Sequence, residues 1–271
     1  MPFPIGSTYR PDETYDLYKQ VLDEIYAQYN HKCRIGRKSL IKYGKNTSVG
    51  TTEEDITPWG GTETYLTSNA IDTLSSSESA DQDIPIYIEG FTYSSGVLTF
   101  VTQTVNTDAS DGQTKVLLTT PLAGCSRVRG VTTGDVYIYE DGAITAGVPD
   151  DTSKIHNQLV AGENTSLKAG TSIVDSNYFI LTRFWANVGK GSGAAAADVR
   201  LRVANLGDAV LGNEFFTLKE KAINLNKGLD DTYTPFQIIK PNSHILVTAS
   251  ASTGTVSISA GFDGFFADII G

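Results

Sequence analysis

The sequence is poor in the residue types from which most metal and catalytic sites are built. It contains three histidines, His31, His156 and His244, and only two cysteines, Cys33 and Cys125. No histidine stands in a His-x-x-x-His spacing and the cysteines form no Cys-x-x-Cys pair, so no zinc site of a usual spacing is predicted. We expect both cysteines to be reduced thiols, with a disulfide or a metal ligand as the alternative.

Long apolar runs and an excess of positive charge are also missing. No stretch approaches the roughly 18 apolar residues of a membrane-spanning helix, and the first residues lack the basic and apolar regions of a secretion signal. Acidic residues outnumber basic ones by 31 to 21, which gives a net charge of −10. Because binding to phosphate or to anionic lipid needs clustered cations, the sequence predicts no nucleic-acid and no membrane partner. We expect synthesis in the host cytoplasm, without an export signal of its own.

Motifs that would identify a catalytic or cofactor site are absent as well. No Gly-x-Ser-x-Gly elbow follows a predicted strand, and the Gly-Lys-Gly-Ser loop at 189–192 lacks the lead and the helix of a phosphate-binding loop. Residues 106–112 are similar to a calcium loop, but a displaced glycine and a missing final glutamate favour a turn. The sequence predicts a protein that is not an enzyme and has no cofactor. Carboxylates distant in sequence could still assemble a glycosidase or lyase site.

The chain is rich in glycine, serine and threonine, which separate short stretches of alternating apolar and polar residues. Residues 84–93 and 97–105 predict a β-hairpin around Ser94-Ser95-Gly96. Two more strand pairs are predicted in the same way: 135–139 with 143–146, and 178–188 with 198–206. Ten or more strands without alternating helices predict an all-β fold, a jelly-roll or β-sandwich body that occupies 62–271 as one domain.

Only one segment, near the N-terminus, has a helical period. After an extended, proline-rich tail up to residue 11, apolar side chains recur every three or four positions to about Asn30. They form the stripe Tyr15, Tyr18, Leu22, Ile25 and Tyr29. Two interpretations are open: the stripe docks on the β body, or it packs against the same helix in other copies or against a partner protein.

The segment after the helix carries the densest positive charge. Between residues 32 and 45 there are six basic residues and no acidic one: Lys32, Arg34, Arg37, Lys38, Lys42 and Lys45. We predict a tail-and-helix region over 1–35 and a basic connecting segment over 36–61, which ends in a Trp-Gly-Gly corner with Trp59 as a structural anchor. The connection is either a solvated loop or an electrostatic docking segment for an acidic partner. The six cations and the helix stripe are the predicted partner-contact residues, and removal of 1–45 should leave a folded body.

Four stretches together resemble a family of virion structural proteins of tailed bacteriophages: Gly36-Arg-Lys-Ser39, 50–61, 161–170 and 198–203. The resemblance covers most of 36–271. It implies a non-enzymatic capsid-associated or other particle component with a jelly-roll-like fold, and a capsid decoration (cement) protein is the leading hypothesis. Such a protein would form a homo-oligomer, a trimer, on the capsid surface of the virion and contact the major capsid protein or other virion proteins. A neck, tail or baseplate component and a carbohydrate- or receptor-binding module are the alternatives.

Overall fold

The computed structural model describes residues 11–63, 68–193, 196–205 and 215–270, with side chains at all of these except 11–18, 35–37 and 234–235. Strands make up 62% of the structure, beside one α-helix, α1, over Pro11–Tyr29 and a short 3-10 helix over Thr152–Lys154. In chain order the strands are β1 (Cys33–Val49), β2 (Glu54–Asp55), β3 (Ile71–Ser76), β4 (Pro85–Ser94), β5 (Val97–Asn106), β6 (Val116–Leu122), β7 (Gly124–Arg129), β8 (Val136–Glu140), β9 (Ile144–Thr145), β10 (Val148–Pro149), β11 (Ile155–Leu159), β12 (Gly170–Ile173), β13 (Asn177–Ser192), β14 (Ala196–Asn205), β15 (Phe216–Asn224), β16 (Lys227–Ile239), β17 (Ser243–Ala251) and β18 (Thr255–Ile269).

Eight of the strands form a jelly roll of two facing antiparallel sheets. One sheet has the order β1-β18-β13-β16 and the other has the order β12-β17-β14-β15, with the short β2 paired to β17. Counted along the chain among these eight strands, the orders are 1-8-3-6 and 2-7-4-5, the arrangement of two Greek keys. Phe179, Phe184 and Phe262 of the first sheet share one buried core with Leu201 and Val247 of the second. The predicted all-β, jelly-roll class is confirmed.

A second sandwich is inserted between β1 and β12, the first two of the eight jelly-roll strands. Its sheets have the orders β11-β8-β3-β6 and β5-β4-β7, and β9 and β10 form a small ribbon. Ile71, Ile86, Ile88, Val128 and Ile138 belong to its own separate core. The body is therefore two β units, which we call the jelly roll and the inserted sandwich. Both units alternate apolar and polar residues between similar turns, so the sequence shows no break between them.

The basic segment is a strand of the jelly roll and not a connection, which corrects the predicted domain boundaries. β1 pairs antiparallel with β18 over nearly its whole length. Its alternation is inverted relative to an ordinary strand, since Lys42 and Asn46 are buried whereas Ile41 and Tyr43 are exposed. A search for inward-facing apolar residues therefore misses it. The β body starts at β1, and deletion of 1–45 would remove most of an edge strand.

Of the three predicted strand pairs, the first is confirmed. β4 and β5 form a hairpin in which Ser94 lies opposite Val97. The two residues between them, Ser95 and Gly96, both have positive φ, at 51° and 85°. This is the backbone twist that a tight two-residue hairpin turn requires.

The other two strand pairs are wrong. β8 pairs with β3 and β11, while β9 turns back on β10 through Ala146 and Gly147. β13 and β14 lie in opposite sheets of the jelly roll and face each other across the core. The inward row predicted for β14 is nevertheless correct, because Val199, Leu201 and Val203 are all buried in that core.

Candidate functional site

The helix stripe docks on the chain's own body. Val21 and Ile25 are buried against Tyr178, Ile180 and Ala267 on the outer face of the first jelly-roll sheet. Leu22 and Tyr29 are half-buried at the margin of this contact. Tyr15 and Tyr18 lie in the helix, and their side chains are outside the described part of the structure. The positions of Leu22, Ile25 and Tyr29 therefore agree with the interpretation that the helix stripe docks on the β body.

Aromatic contacts fix the end of the helix above the sheet. The rings of Tyr29 and Tyr178 stack with centroids 5.5 Å apart, and the Lys240 ammonium lies 5.3 Å from the centroid of the Tyr29 ring. The hydroxyl of Tyr178 is 2.8 Å from Nδ1 of His31. Asn30 follows with a φ of 55° and turns the chain into β1. The helix is thus held at the point where it joins the jelly roll.

The six predicted cations do not form one patch. Lys32, Lys38 and Lys45 are exposed, and Arg34 is exposed with its Nε 3.6 Å from a carboxylate oxygen of Asp268. The side chain of Arg37 lies outside the described residues. A strand points successive side chains to opposite faces, so a cluster in the sequence is divided in space.

Lys42 is the exception among the six, because it is buried at the junction of the two β units. Its Nζ donates to the backbone oxygen of Ser126 at 2.5 Å and to Oγ of Ser126 at 3.2 Å. Burial, assisted by the nearby cations of Arg127 and Lys168, lowers the pKa of Lys42 to about 7. The residue therefore joins β1 of the jelly roll to β7 of the inserted sandwich and is unavailable to a partner.

A groove of about 960 Å³ runs beside β1, and we call it the β1 groove. One wall comes from the jelly roll and the other from the hairpin of β4 and β5 in the inserted sandwich. Phe100, on the hairpin wall, is 46% exposed and stands edge-on to Phe91 at 5.6 Å between centroids. Its lining includes two cations and two carboxylates, Arg34, Lys38, Glu89 and Asp268, together with the apolar side chains of Leu40, Phe100 and Phe266.

A cluster of buried charges lies where the inserted sandwich leaves and re-enters the jelly roll. We call it the Glu63 cluster: Glu63, His156, Lys168 and His244. Oε1 of Glu63 is 2.6 Å from Nζ of Lys168 and 3.7 Å from Nδ1 of His156, and Oε2 is 3.5 Å from Nε2 of His244. Glu63 stands in the outgoing connection, Lys168 in the returning one, His156 on β11 and His244 on β17. The Glu63 carboxylate, which stands in the outgoing connection, thus contacts His156 of the inserted sandwich, His244 of the jelly roll and Lys168 of the returning connection.

The protonation of this cluster follows from its burial and its charges. Burial favours the neutral form of Glu63, but the Lys168 ammonium and the two imidazoles outweigh it and hold the pKa of Glu63 well below its usual range. Burial lowers the pKa of His244 below its usual value, although Glu63 acts in the opposite direction. Asp55, which accepts a hydrogen bond from the backbone N–H of Glu63, has its pKa raised to about 7 by burial and by the charge of Glu63.

Ser172, His244 and Glu63 also form a hydroxyl–imidazole–carboxylate series. Oγ of Ser172 is 2.8 Å from Nδ1 of His244. Ser172 is only 5% exposed and lies directly opposite His244 in the ladder of β12 and β17. A serine nucleophile is normally presented on a sharp exposed turn, whereas this pair is a cross-strand contact inside a sheet. Within the described residues no group of three or more His, Cys, Asp or Glu side chains is arranged to hold a metal ion.

Sequence spacing could not have found the Glu63 cluster. Its members are drawn from a connection before β3, from β11, from a connection before β12 and from β17. No local motif links positions so far apart. The one signal in the sequence is that histidine is scarce, because two of the three histidines, His156 and His244, belong to this cluster. The interpretation of Trp59 as a structural anchor agrees with the structure, because Trp59 packs against Tyr137, Tyr139 and Ile155 of the inserted sandwich.

Comparisons with known proteins add little to this geometry. No family model matches the chain, and no curated protein matches it. Among solved structures, the chain is similar to one described as the structure of infectious bursal disease virus Gt strain, with 10% sequence identity and a TM-score of 0.20. That match covers 88% of this chain and 73% of the other, and at such a TM-score it supports no inference about function. No helix among the described residues is long and apolar enough to cross a membrane.

Proposed function

We propose that this chain is a non-enzymatic structural protein of a tailed-phage virion, a decoration protein that binds to the outside of the capsid as a homotrimer. The observation that carries the proposal is the strand order of the jelly roll, 1-8-3-6 and 2-7-4-5, an architecture that viral capsid domains share with lectins and cupins. The sequence resemblance to virion structural proteins points to the viral member of that group. A shared fold is an argument by analogy, so the experiment below decides between roles on the particle.

The use of the buried polar groups supports a structural role. Lys42, Lys168 and Glu63 each connect the jelly roll to the inserted sandwich or to its connections. These buried joints hold the two units in one arrangement, and a pre-organised protein loses less free energy on binding to the lattice. Stabilisation of the capsid then follows from mass action, since the decoration protein binds the assembled lattice and not its separate subunits. Repeated weak contacts on one lattice add through multivalency.

The copy number on purified particles tests this proposal. We expect quantitative mass spectrometry to give a ratio to the major capsid protein that matches a lattice position, and we expect particles that lack the chain to lose DNA at a lower temperature. The major capsid protein of the same particles is the internal standard for the ratio. About six or twelve copies per particle, the numbers expected at a neck or baseplate with cyclic symmetry, would replace the decoration role by a neck, tail or baseplate role.

A further inference from the structure

A smaller pocket of about 290 Å³ lies at the junction of the two units, and we call it the arginine pocket. Its walls are residues 41–43 of β1, Arg127 and Arg129 of β7, and residues 165–166 of the connection that returns to the jelly roll. That connection runs beside β7, because the N–H of Ser166 donates to the backbone oxygen of Val128 at 2.8 Å. Junctions between units are a preferred position for small-ligand sites, and this volume is close to the lower end of their range.

The charged groups that line the arginine pocket are cations. Arg127 and Arg129 stand two residues apart on β7 and so lie on the same face of the strand. Lys42 also lines the pocket, but its ammonium donates to Ser126 and is left out of the count. The two guanidinium groups share one carboxylate, that of Glu89, which lines the β1 groove and not this pocket. Within the described part of the chain no other carboxylate pairs with either arginine, so the arginines retain an excess of one positive charge.

Arg127 has unused hydrogen-bond donors. Its side chain is 30% exposed, and its Nη1 is 3.7 Å from Oε2 of Glu89, too far for a hydrogen bond. Among the described residues its guanidinium finds no hydrogen-bond acceptor. Arg129, in contrast, donates to Glu89 and lies 5.1 Å from the centroid of the Tyr87 ring. A guanidinium presents five N–H donors in a planar fork that fits the two oxygens of a carboxylate, so Arg127 is the group in the pocket that lacks such a partner.

An exposed aromatic ring lines the same pocket. The rings of Tyr43 and Trp185 stack with centroids 5.7 Å apart, and Gly261 leaves the space that the Trp185 ring occupies. The stack holds Tyr43 in place, which reduces the entropy lost when a ligand binds. Ile41 beside it is exposed, and Oγ1 of Thr165 forms no hydrogen bond within the described residues. An inorganic anion would leave the apolar surface uncovered, whereas a ring that carries the anion would cover it.

We propose that the arginine pocket binds an acidic monosaccharide, a pyranose ring that carries one carboxylate. The carboxylate lies in the fork of Arg127, and the ring lies against Tyr43 and Ile41. A hydroxyl of the sugar meets Oγ1 of Thr165, which an aryl acid would leave without a partner. The single negative charge matches the excess of one positive charge on the arginines. This binding activity goes beyond the proposed function and holds whether or not the chain is bound to a capsid.

Isothermal titration calorimetry on the full chain in low salt tests the class of ligand. The probes are glucuronate, glucose, which has the ring without the carboxylate, and acetate, which has the carboxylate without the ring. We expect glucuronate to bind with a dissociation constant on the order of 1 mM, as ordinary ligand efficiency gives for about thirteen non-hydrogen atoms, and the other two to bind at least about tenfold more weakly. Equal binding of glucose would overturn the role of the arginines, and equal binding of acetate would overturn the role of the ring. No binding of glucuronate would overturn the site.

Matched variants locate the contact. Arg127→Lys keeps the charge but loses the planar fork, so it should weaken glucuronate binding about fivefold or more, whereas Arg34→Lys in the β1 groove should leave it unchanged. Tyr43→Ala and Thr165→Val should each weaken binding without a change in charge. Glu89→Gln should strengthen it, because the arginines lose their competing carboxylate. The Tm of each variant shows that it is folded. Equal effects of Arg127→Lys and Arg34→Lys in folded protein would overturn the assignment.

Discussion

Asp55 is a carboxyl group in a place that favours its neutral form. It is 4% exposed and shares its surroundings with the more acidic Glu63. A pKa of about 7 in the folded chain, against 3.8 for an ordinary aspartate, means that the folded state binds the proton more tightly than the unfolded state. The ionised Asp55 therefore lowers the free energy of unfolding by its full amount above pH 7. This loss of stability declines as the pH falls from 7 to about 4, and it is absent below that.

Asp55→Asn should therefore stabilise the protein at pH 8. Asparagine carries no charge and its side-chain oxygen can still accept the hydrogen bond from the N–H of Glu63. We expect the free energy of unfolding in urea to rise by on the order of 2–4 kcal/mol at pH 8, from about 1.4 kcal/mol per pKa unit, and the gain to vanish at pH 4. The control is Asp150→Asn in an exposed turn, for which no change is expected at either pH. A loss of stability of equal size at both pH values would mean that Asp55 acts through packing and not through charge.

The helix and β1 are joined in sequence but belong to the structure in different ways. α1 lies on the outer face of a complete sheet, whereas β1 is itself the edge strand of that sheet. Loss of the helix exposes Tyr178 and Ile180 but leaves every strand pair intact. Loss of β1 removes the partner of β18 and the buried contact of Lys42 with Ser126.

Two truncations should separate these roles. A chain that lacks residues 1–30 should fold, with a strand signal in circular dichroism and a lower Tm, because the burial of Val21 and Ile25 contributes about 1.5–3 kcal/mol each. A chain that lacks 1–45 should fail to fold or should aggregate on size exclusion, because an internal strand becomes an unpaired edge. Cooperative unfolding of the shorter chain would show that β1 is dispensable, as the sequence alone suggested.

Sequence patterns predicted those elements whose signal is local. The 3.6-residue period of α1, the hairpin around Ser94-Ser95-Gly96, and the alternation of β14 are each properties of short stretches of consecutive residues. β1 was missed because its buried row contains the polar residues Lys42 and Asn46. The partner of Lys42 is Ser126 in the inserted sandwich, and that of Asn46 is the backbone oxygen of Asp55 in β2, and neither contact can be read from the local sequence. The pairing of β13 with β16 and β18, and not with β14, is set by the closure of the jelly roll. The Glu63 cluster has the same origin, since its members meet only after both units have formed.

At the scale of the whole molecule, Glu63 connects the two units. It is 7% exposed in its side chain and lies against Lys168, which is 2% exposed. Removal of one partner from such a buried pair leaves the other charge without compensation, at a cost of about 3–5 kcal/mol. Because the pKa of Glu63 is depressed in the folded chain, its charge stabilises the fold fully at pH values above 4.5, the ordinary pKa of glutamate. This stabilisation is lost as the pH falls below that value.

Glu63→Gln should consequently destabilise the protein by about 3–5 kcal/mol at pH 7, with a smaller difference from the native chain below pH 4. Hydrogen exchange should increase in β11 and β12, on either side of the cluster, before it increases in the cores. Glu163→Gln, in an exposed turn, is the matched control and should leave both unfolding and exchange unchanged. If the two variants behave alike, Glu63 has no role in holding the units together.

The pairing of β1 with β18 also orders events in time. The first strand of the jelly roll ends at residue 49, and its neighbour in the sheet among the described residues begins at residue 255. The sheet cannot close until β18 has been synthesised, and contacts between such distant residues form slowly. The inserted sandwich spans 71–159 and has its own core, so its strands are complete much earlier. A nascent chain therefore carries a complete inner unit while the edge of β1 waits unpaired, which is the interval in which it is most exposed to aggregation.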